Sequence, residues 1–249
     1  MSARGSGTVS TVGAVVSVGS VVPPMATRTA SRRAKKAAPT GTLLLLVRHG
    51  QTPSTGRVLP GRAKGLHLSD AGQAEAVAAA ERIAPFGDRI GAVYASPLER
   101  TKETAAPIAA AVGQKVVVER GLLEADFGEW TGAELKSLFK QPEWRAVQHR
   151  PSRFRFPGGE SFPEMQLRIC STLDRLVAAH PGKVVVAVSH ADPIKAYVAQ
   201  TMGCHLDLFQ RIVVSPCSVT AVAHGPDGTG AIVLCVNSTG RDLTALAPS

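Results

Sequence analysis

The chain has 249 residues, 44% hydrophobic, 19% charged and 4% aromatic, with 28 basic against 19 acidic side chains and a formal charge of +9. A chain this long and apolar supports a buried core, which excludes wholesale disorder. No apolar run approaches the roughly 18 residues of a membrane-spanning helix, and aromatics are too sparse for a surface that stacks single-stranded nucleic acid.

The charge is unevenly placed. Residues 1–40 carry Arg4, Arg28, Arg32, Arg33, Lys35 and Lys36 and no acidic residue, while the remainder carries 22 basic against 19 acidic groups. With its Gly, Ser, Thr, Val and Ala and no helical or strand period, this stretch reads as a disordered basic leader (1–40) ahead of one folded domain (41–249). Val12–Val22 is diluted by Gly13, Ser17, Gly19 and Ser20, which weakens it as the core of a signal peptide. A solvated tail is favoured over a nucleic-acid arm.

From Thr42 the pattern changes. Leu43–Val47 is a continuous apolar run, as in a strand covered on both faces. A loop rich in Gly and Pro reaches Leu68, and Ser69-Asp70 opens an Ala-rich helix to about Ile83. Ile90–Ala95 is the next strand. Ser96-Pro97 reads as a helix start, with Ser as N-cap and Pro at the first helical position, and Leu98, Thr101, Ala105, Ile108 and Val112 keep one face of that helix apolar as far as Gly113. Val116–Val118 is a short strand, Glu160–Ala179 a long helix, Lys183–Ser189 a buried strand, and Asp192-Pro193 a further helix start. Val213–His224 and Ala231–Asn237 close the chain as two strands around the Gly225–Gly230 turn. Glu124–Pro157 is an insertion, partly helical, over one edge.

Strands alternating with helices give an α/β fold, a three-layer sandwich with a mostly parallel central sheet and helices on both faces. Cys170, Cys204, Cys217 and Cys235 are far apart, with no C-x-x-C, and read as reduced thiols in a cytoplasmic protein.

In such a sheet ligands bind at the carboxyl ends of the strands. Three strand exits carry polar residues that would converge there: Arg48-His49-Gly50, Ser96-Pro97-Leu98-Glu99-Arg100, and Ser189-His190. Two histidines and two arginines at one sheet edge describe an anion site, because guanidinium forks match phosphate oxygens and helix N-termini add positive charge. Each element alone has a blander reading: Arg100 could pair with Glu99 or Glu103 on its own helix, and His190 could be a capping or core histidine.

Taken in order, the segments Leu46-Val47-Arg48-His49-Gly50-Gln51-Thr52, Ser96–Thr101, Glu124–Gly132, Pro157-Gly158-Gly159-Glu160-Ser161 and Val188-Ser189-His190 resemble the histidine phosphatase superfamily, which includes cofactor-dependent phosphoglycerate mutases and many small phosphatases. The resemblance spans about 42–237. It implies that His49 is the nucleophile, that Arg48, Arg100 and His190 hold the phosphoryl oxygens, and that Glu124 is the proton donor. Neutral imidazole is nucleophilic near pH 7, and a donor carboxylic acid needs a raised pKa. Asp126 is the rival donor, and a pairing of Glu124 with Arg120 or Arg145 is the structural alternative.

The sequence departs from the family in places. The position six residues after His49, often Asn in the family, is Thr55, whose hydroxyl could still bind phosphate. The Gly-Gly common after the second histidine is Ala191-Asp192, where Asp192 reads as a helix cap. Arg62, Lys64 and His67 lie where the family often shapes the substrate mouth, and Arg62 is taken as substrate-binding. Arg150, Arg153 and Arg155 belong to the insertion, as a solvated face or as readers of a second anionic group. No cluster has metal-ligand spacing, and neither a cofactor nor a metal is expected. The reading is a metal-independent phosphomonoesterase acting on a small phosphorylated metabolite, with no membrane or nucleic-acid partner and with self-association open. Phosphoglycerate mutase and a non-catalytic phosphate-binding protein are the alternatives.

Overall fold

The computed structural model describes residues 41–226 and 230–240. The leader read over 1–40 and residues 227–229 of the last turn lie outside the described residues. Six strands form one sheet in the order β3-β2-β4-β1-β5-β6. They are β1 (Thr42–Arg48), β2 (Ile90–Ala95), β3 (Val116–Val118), β4 (Val184–Ser189), β5 (Val219–His224) and β6 (Ala231–Ser238). The first four are mutually parallel, while β5 runs antiparallel to β1 and β6 to β5.

The all-apolar run of β1 works because both its faces are covered. Leu43, Leu45 and Val47 pack with Ala80 and Ile83 of α1 (Asp70–Ile83) and with Ala105 and Ile108 of α2 (Glu99–Ala111). Leu44 and Leu46 face Ile169, Leu173 and Leu176 of α5 (Phe162–Ala178) and Ile194 and Val198 of α6 (Ala191–Thr201). Side-chain alternation along one strand thus builds a three-layer sandwich. No described helix is long and apolar enough to cross a membrane.

The insertion is a chain of short turns, including α3 (Leu135–Leu138) and α4 (Trp144–His149). The aromatic residues the rest of the chain lacks are gathered around it. Both tryptophans and six of the seven phenylalanines belong to a second apolar cluster or touch it, with Phe154, Phe156, Phe162 and Phe209 at its centre.

Four boundaries differ from the sequence reading, each for a local reason. Ser96 is not a helix cap: its amide extends the parallel ladder to Val188 O (3.0 Å), and α2 begins at Glu99 with Leu98 as N-cap. Residues 213–218 are not strand, because the chain there curls around Arg48, which donates Nη1–H to Val214 O (2.7 Å) and exchanges backbone bonds with Cys217 and Ser218. Nor does Asp192 cap a helix beginning at Pro193; α6 starts at Ala191 with His190 as N-cap. The long helix α5 opens at Phe162 behind a capping box of Ser161 and Glu164, which leaves Glu160 free for another role.

Candidate active site

The carboxyl ends of the neighbouring parallel strands β1 and β4 carry the two histidines. Arg48 pairs with Ser189 in register, and His49 N donates to Ser189 O (3.0 Å). The imidazole rings of His49 and His190 meet edge to face, with centroids 5.2 Å apart. The His49 backbone turn is held from two sides. Gly50 N donates to Thr104 Oγ1 (3.0 Å), and Gly50 and Gly72 pack so closely that a Cβ on Gly50 would lie 2.5 Å from Gly72 O.

The hydrogen bonds settle the proton on each ring. His49 Nδ1 lies 2.7 Å from Gly50 O, an acceptor, so Nδ1 carries the proton and Nε2 keeps its lone pair. His190 Nδ1 accepts from Arg100 Nη2 (3.2 Å), which leaves the proton on Nε2, 2.9 Å from Ser96 Oγ. Both rings are held neutral: burial first, then the charges of Arg100 and Arg48 for His49, and of Arg100, His49 and Arg48 for His190, push their pKa values well below the ordinary histidine value.

Arg100 is wholly buried in the first turn of α2. Its Nη2 donates to Gly61 O (2.8 Å) as well as to His190. Its Nε and Nη1, and the Nε of Arg48, are buried with no partner among the described residues. Buried guanidinium donors without acceptors are costly, and donors of this kind are suited to an anion.

Glu124 is 8% exposed, with Oε1 accepting from the Ala125 amide at 3.0 Å. Burial and the Asp192 carboxylate push its pKa up to about 7, against the Ala125 hydrogen bond and the charges of Arg100 and Arg48. It pairs with neither Arg120 nor Arg145. Asp126, the rival, is half exposed and bonded to Arg62.

The structure thus gathers Arg48, His49, Arg100, Glu124 and His190. It does not leave Thr55 or Arg62 free. Thr55 Oγ1 accepts from Thr52 N (2.9 Å) and closes a turn. Arg62 donates to Glu124 O (2.9 Å), Asp126 Oδ2 (3.2 Å) and Glu160 Oε2 (3.0 Å), so each of its nitrogens already has a partner within the protein. His67 is bound to Glu103, and Lys64 is exposed. Of the insertion arginines, Arg155 pairs with Glu164, while Arg150 and Arg153 are exposed. Among the described residues no three His, Cys, Asp or Glu gather as metal ligands would.

Sequence reasoning missed the parts played by five residues. Ser96 was read as a cap and Thr104 was hidden in an apolar face. Asp192 was assigned to capping, whereas its carboxylate acts on Glu124 and Arg48 and pairs with Lys195 (3.3 Å). Arg168 lies on the polar side of α5 with nothing in its spacing to mark it. Glu160 sat within a quoted motif, which was the one available signal.

The model of the histidine phosphatase superfamily (branch 1) matches residues 44–237. A bifunctional protein of Mycobacterium tuberculosis is 34% identical over 208 residues, covering 81% of this chain but 55% of that protein, so the chain spans about half the length of this relative. Phosphoserine phosphatase 1 of Hydrogenobacter thermophilus is 32% identical over 171 residues, covering 67% of this chain and 79% of its own. Among solved structures, a mycobacterial glucosyl-3-phosphoglycerate phosphatase superposes with a TM-score of 0.71 at 24% identity, over 80% of this chain and all of the other. Phosphoserine phosphatase of Entamoeba histolytica does so with 0.71 at 23%, over 81% of this chain and all of its own. These superpositions establish the shared fold.

Proposed function

The chain belongs to the histidine phosphatase superfamily, branch 1, and on that footing we propose that it is a metal-independent phosphomonoesterase that passes a phosphoryl group through His49. The observation that carries this is the pairing of a free Nε2 lone pair on His49 with unpartnered, buried guanidinium donors of Arg48 and Arg100. On this reading neither nucleophile nor anion receptor need rearrange when substrate arrives.

His49 Nε2 attacks phosphorus in line, forming the N–P bond as the ester P–O bond breaks. Arg48 and Arg100 hold the equatorial oxygens, whose charge is stabilised by donors that need no reorganisation. Glu124, protonated around neutrality, gives its proton to the departing oxygen. The resulting carboxylate then takes a proton from the water that attacks the phosphohistidine, breaking the N–P bond and restoring both groups. His190 acts with Arg100: it accepts from the guanidinium, and its edge limits how the His49 ring can turn.

The substrate class is a small phosphate monoester, as the names of the similar phosphoserine and glucosyl-3-phosphoglycerate phosphatases suggest for those proteins. Phosphoglycerate mutase is the alternative, and the two are separated by whether the phosphoryl group passes to water or to a second hydroxyl. The test is phosphate release from a panel of small esters with and without EDTA. EDTA-insensitive release that disappears in His49→Ala is expected. Release that persists in His49→Ala, or needs a metal, contradicts the proposal.

A further inference from the structure

We propose that Arg168 is a positioning residue for the Glu124 carboxyl, acting with Arg62 through Glu160, which the two arginines share. The inference rests on the reading of Glu124 as proton donor. All five N–H donors of Arg168 are used on one short stretch of chain and its anchor. Nη1 donates to Gly121 O and Leu123 O (2.8 Å each), Nη2 to Glu124 O (3.3 Å) and Glu160 Oε2 (2.8 Å), and Nε to Glu160 Oε1 (2.9 Å). From the other side Arg62 donates to the same Glu124 carbonyl and to the same Glu160 oxygen. Glu160 Oε2 also accepts from Asp126 N (3.3 Å).

Residues 121–126 have little regular structure of their own, a single turn at Arg120–Leu122 apart. The carbonyls of Gly121, Leu123 and Glu124 would otherwise lack partners beside the site. Two guanidinium groups bound to one carboxylate take that place, and they converge on the carbonyl of the very residue whose side chain enters the site. Among the described residues the Glu124 carboxyl receives one hydrogen bond, from its neighbour Ala125. Its position is therefore set by the backbone that Arg168 and Arg62 hold. Lysine cannot replace Arg168, because a single ammonium cannot span Glu160 and three carbonyls.

A displaced donor affects only the proton transfer, so leaving groups separate this role from a general loss of structure. Wild type and Arg168→Met are compared on an alkyl phosphate, whose oxygen must be protonated as it leaves, and on p-nitrophenyl phosphate, whose phenolate leaves without a proton. We expect kcat/KM on the alkyl ester to fall about 100-fold and on the aryl ester by less than about threefold, with the same split in Arg168→Lys. Glu124→Gln, run alongside, should give a larger split in the same sense. No split in Glu124→Gln sinks the donor reading itself. A split in Glu124→Gln with equal losses on both esters, or none, in the Arg168 variants overturns the positioning proposal alone. Should Arg168→Met fail to fold, Arg168→Lys, which keeps the charge and the stem, decides the question.

Discussion

His49 and His190 stand edge to face, 5.2 Å between ring centroids, and their tautomers are opposite: the proton is on Nδ1 in His49 and on Nε2 in His190. The difference follows from what each Nδ1 meets, a carbonyl in one case and a guanidinium in the other. One histidine is left with an open lone pair and the other has both nitrogens engaged, so two chemically identical side chains at one sheet edge are fitted for different work.

The pH dependence follows with definite signs. His49 must be neutral to attack, and its pKa is held well below the ordinary value by burial and by Arg100 and Arg48. The acid limb of kcat/KM should therefore lie well under pH 6.5. Glu124 must be protonated to donate, and its pKa is about 7, so the basic limb should fall as pH rises through about 7. Asp192 is one cause of that elevation. Asp192→Asn should move the basic limb to lower pH and leave the acid limb in place, measured as a pH profile on an alkyl ester. An unmoved basic limb would remove Asp192 from the site's electrostatics.

The unpartnered donors of Arg100 should make phosphate a stabilising ligand. At 100 times its Kd, inorganic phosphate should add about 2.7 kcal/mol to the stability of the fold, a rise of roughly 5–10 °C in melting temperature for a chain of this size. In Arg100→Met the same phosphate concentration should give no shift, and kcat/KM should drop about 100-fold or more. The ligand-free variant loses a buried cation with two open nitrogens but also the donor to Gly61 O and His190 Nδ1, so the phosphate shift is read from its own melting temperature. An undiminished phosphate shift in the variant would place the anion elsewhere. Thermal unfolding followed by circular dichroism measures both quantities.

The sandwich was legible in the sequence because its signals are local. The unbroken apolar run of β1 and the Ser69 cap of α1, for example, do not depend on what lies across the molecule. Arg48, His49, Arg100, Glu124 and His190 were legible as residues because each sits beside a strand exit or within a motif. Their long-range partners were not. Ser96 looks like a helix cap until His190, 94 positions away, claims its hydroxyl. Residues 213–218 have strand composition, yet they wrap the Arg48 side chain, 166 positions away at Val214. Arg62 carries no sign in the sequence that Glu160, 98 positions on, will pair with it.

The close pass between the nucleophile loop and α1 gives a stability test. A Cβ on Gly72 would meet Gln51 O at 2.1 Å and Gln51 N at 2.8 Å. In an ordinary helix Gly→Ala would gain about 1 kcal/mol. At Gly72 the sign should reverse, with Ala destabilising by about 1–3 kcal/mol in urea unfolding and lowering kcat, because the strain is delivered two residues from His49. A stabilised variant would show that the two segments part at no cost.

The central claim is that the phosphoryl group passes through His49, and the most direct measurement is to catch it there. A phosphate ester labelled in its phosphoryl group is mixed with enzyme for milliseconds, quenched in alkali, where phosphohistidine survives, and the labelled peptide is sequenced. The account requires up to one label per chain, on His49, appearing no later than free phosphate, with His49→Ala unlabelled and at least about 10,000-fold slower in kcat. Label on another residue, or turnover by His49→Ala at a rate near wild type, would contradict it.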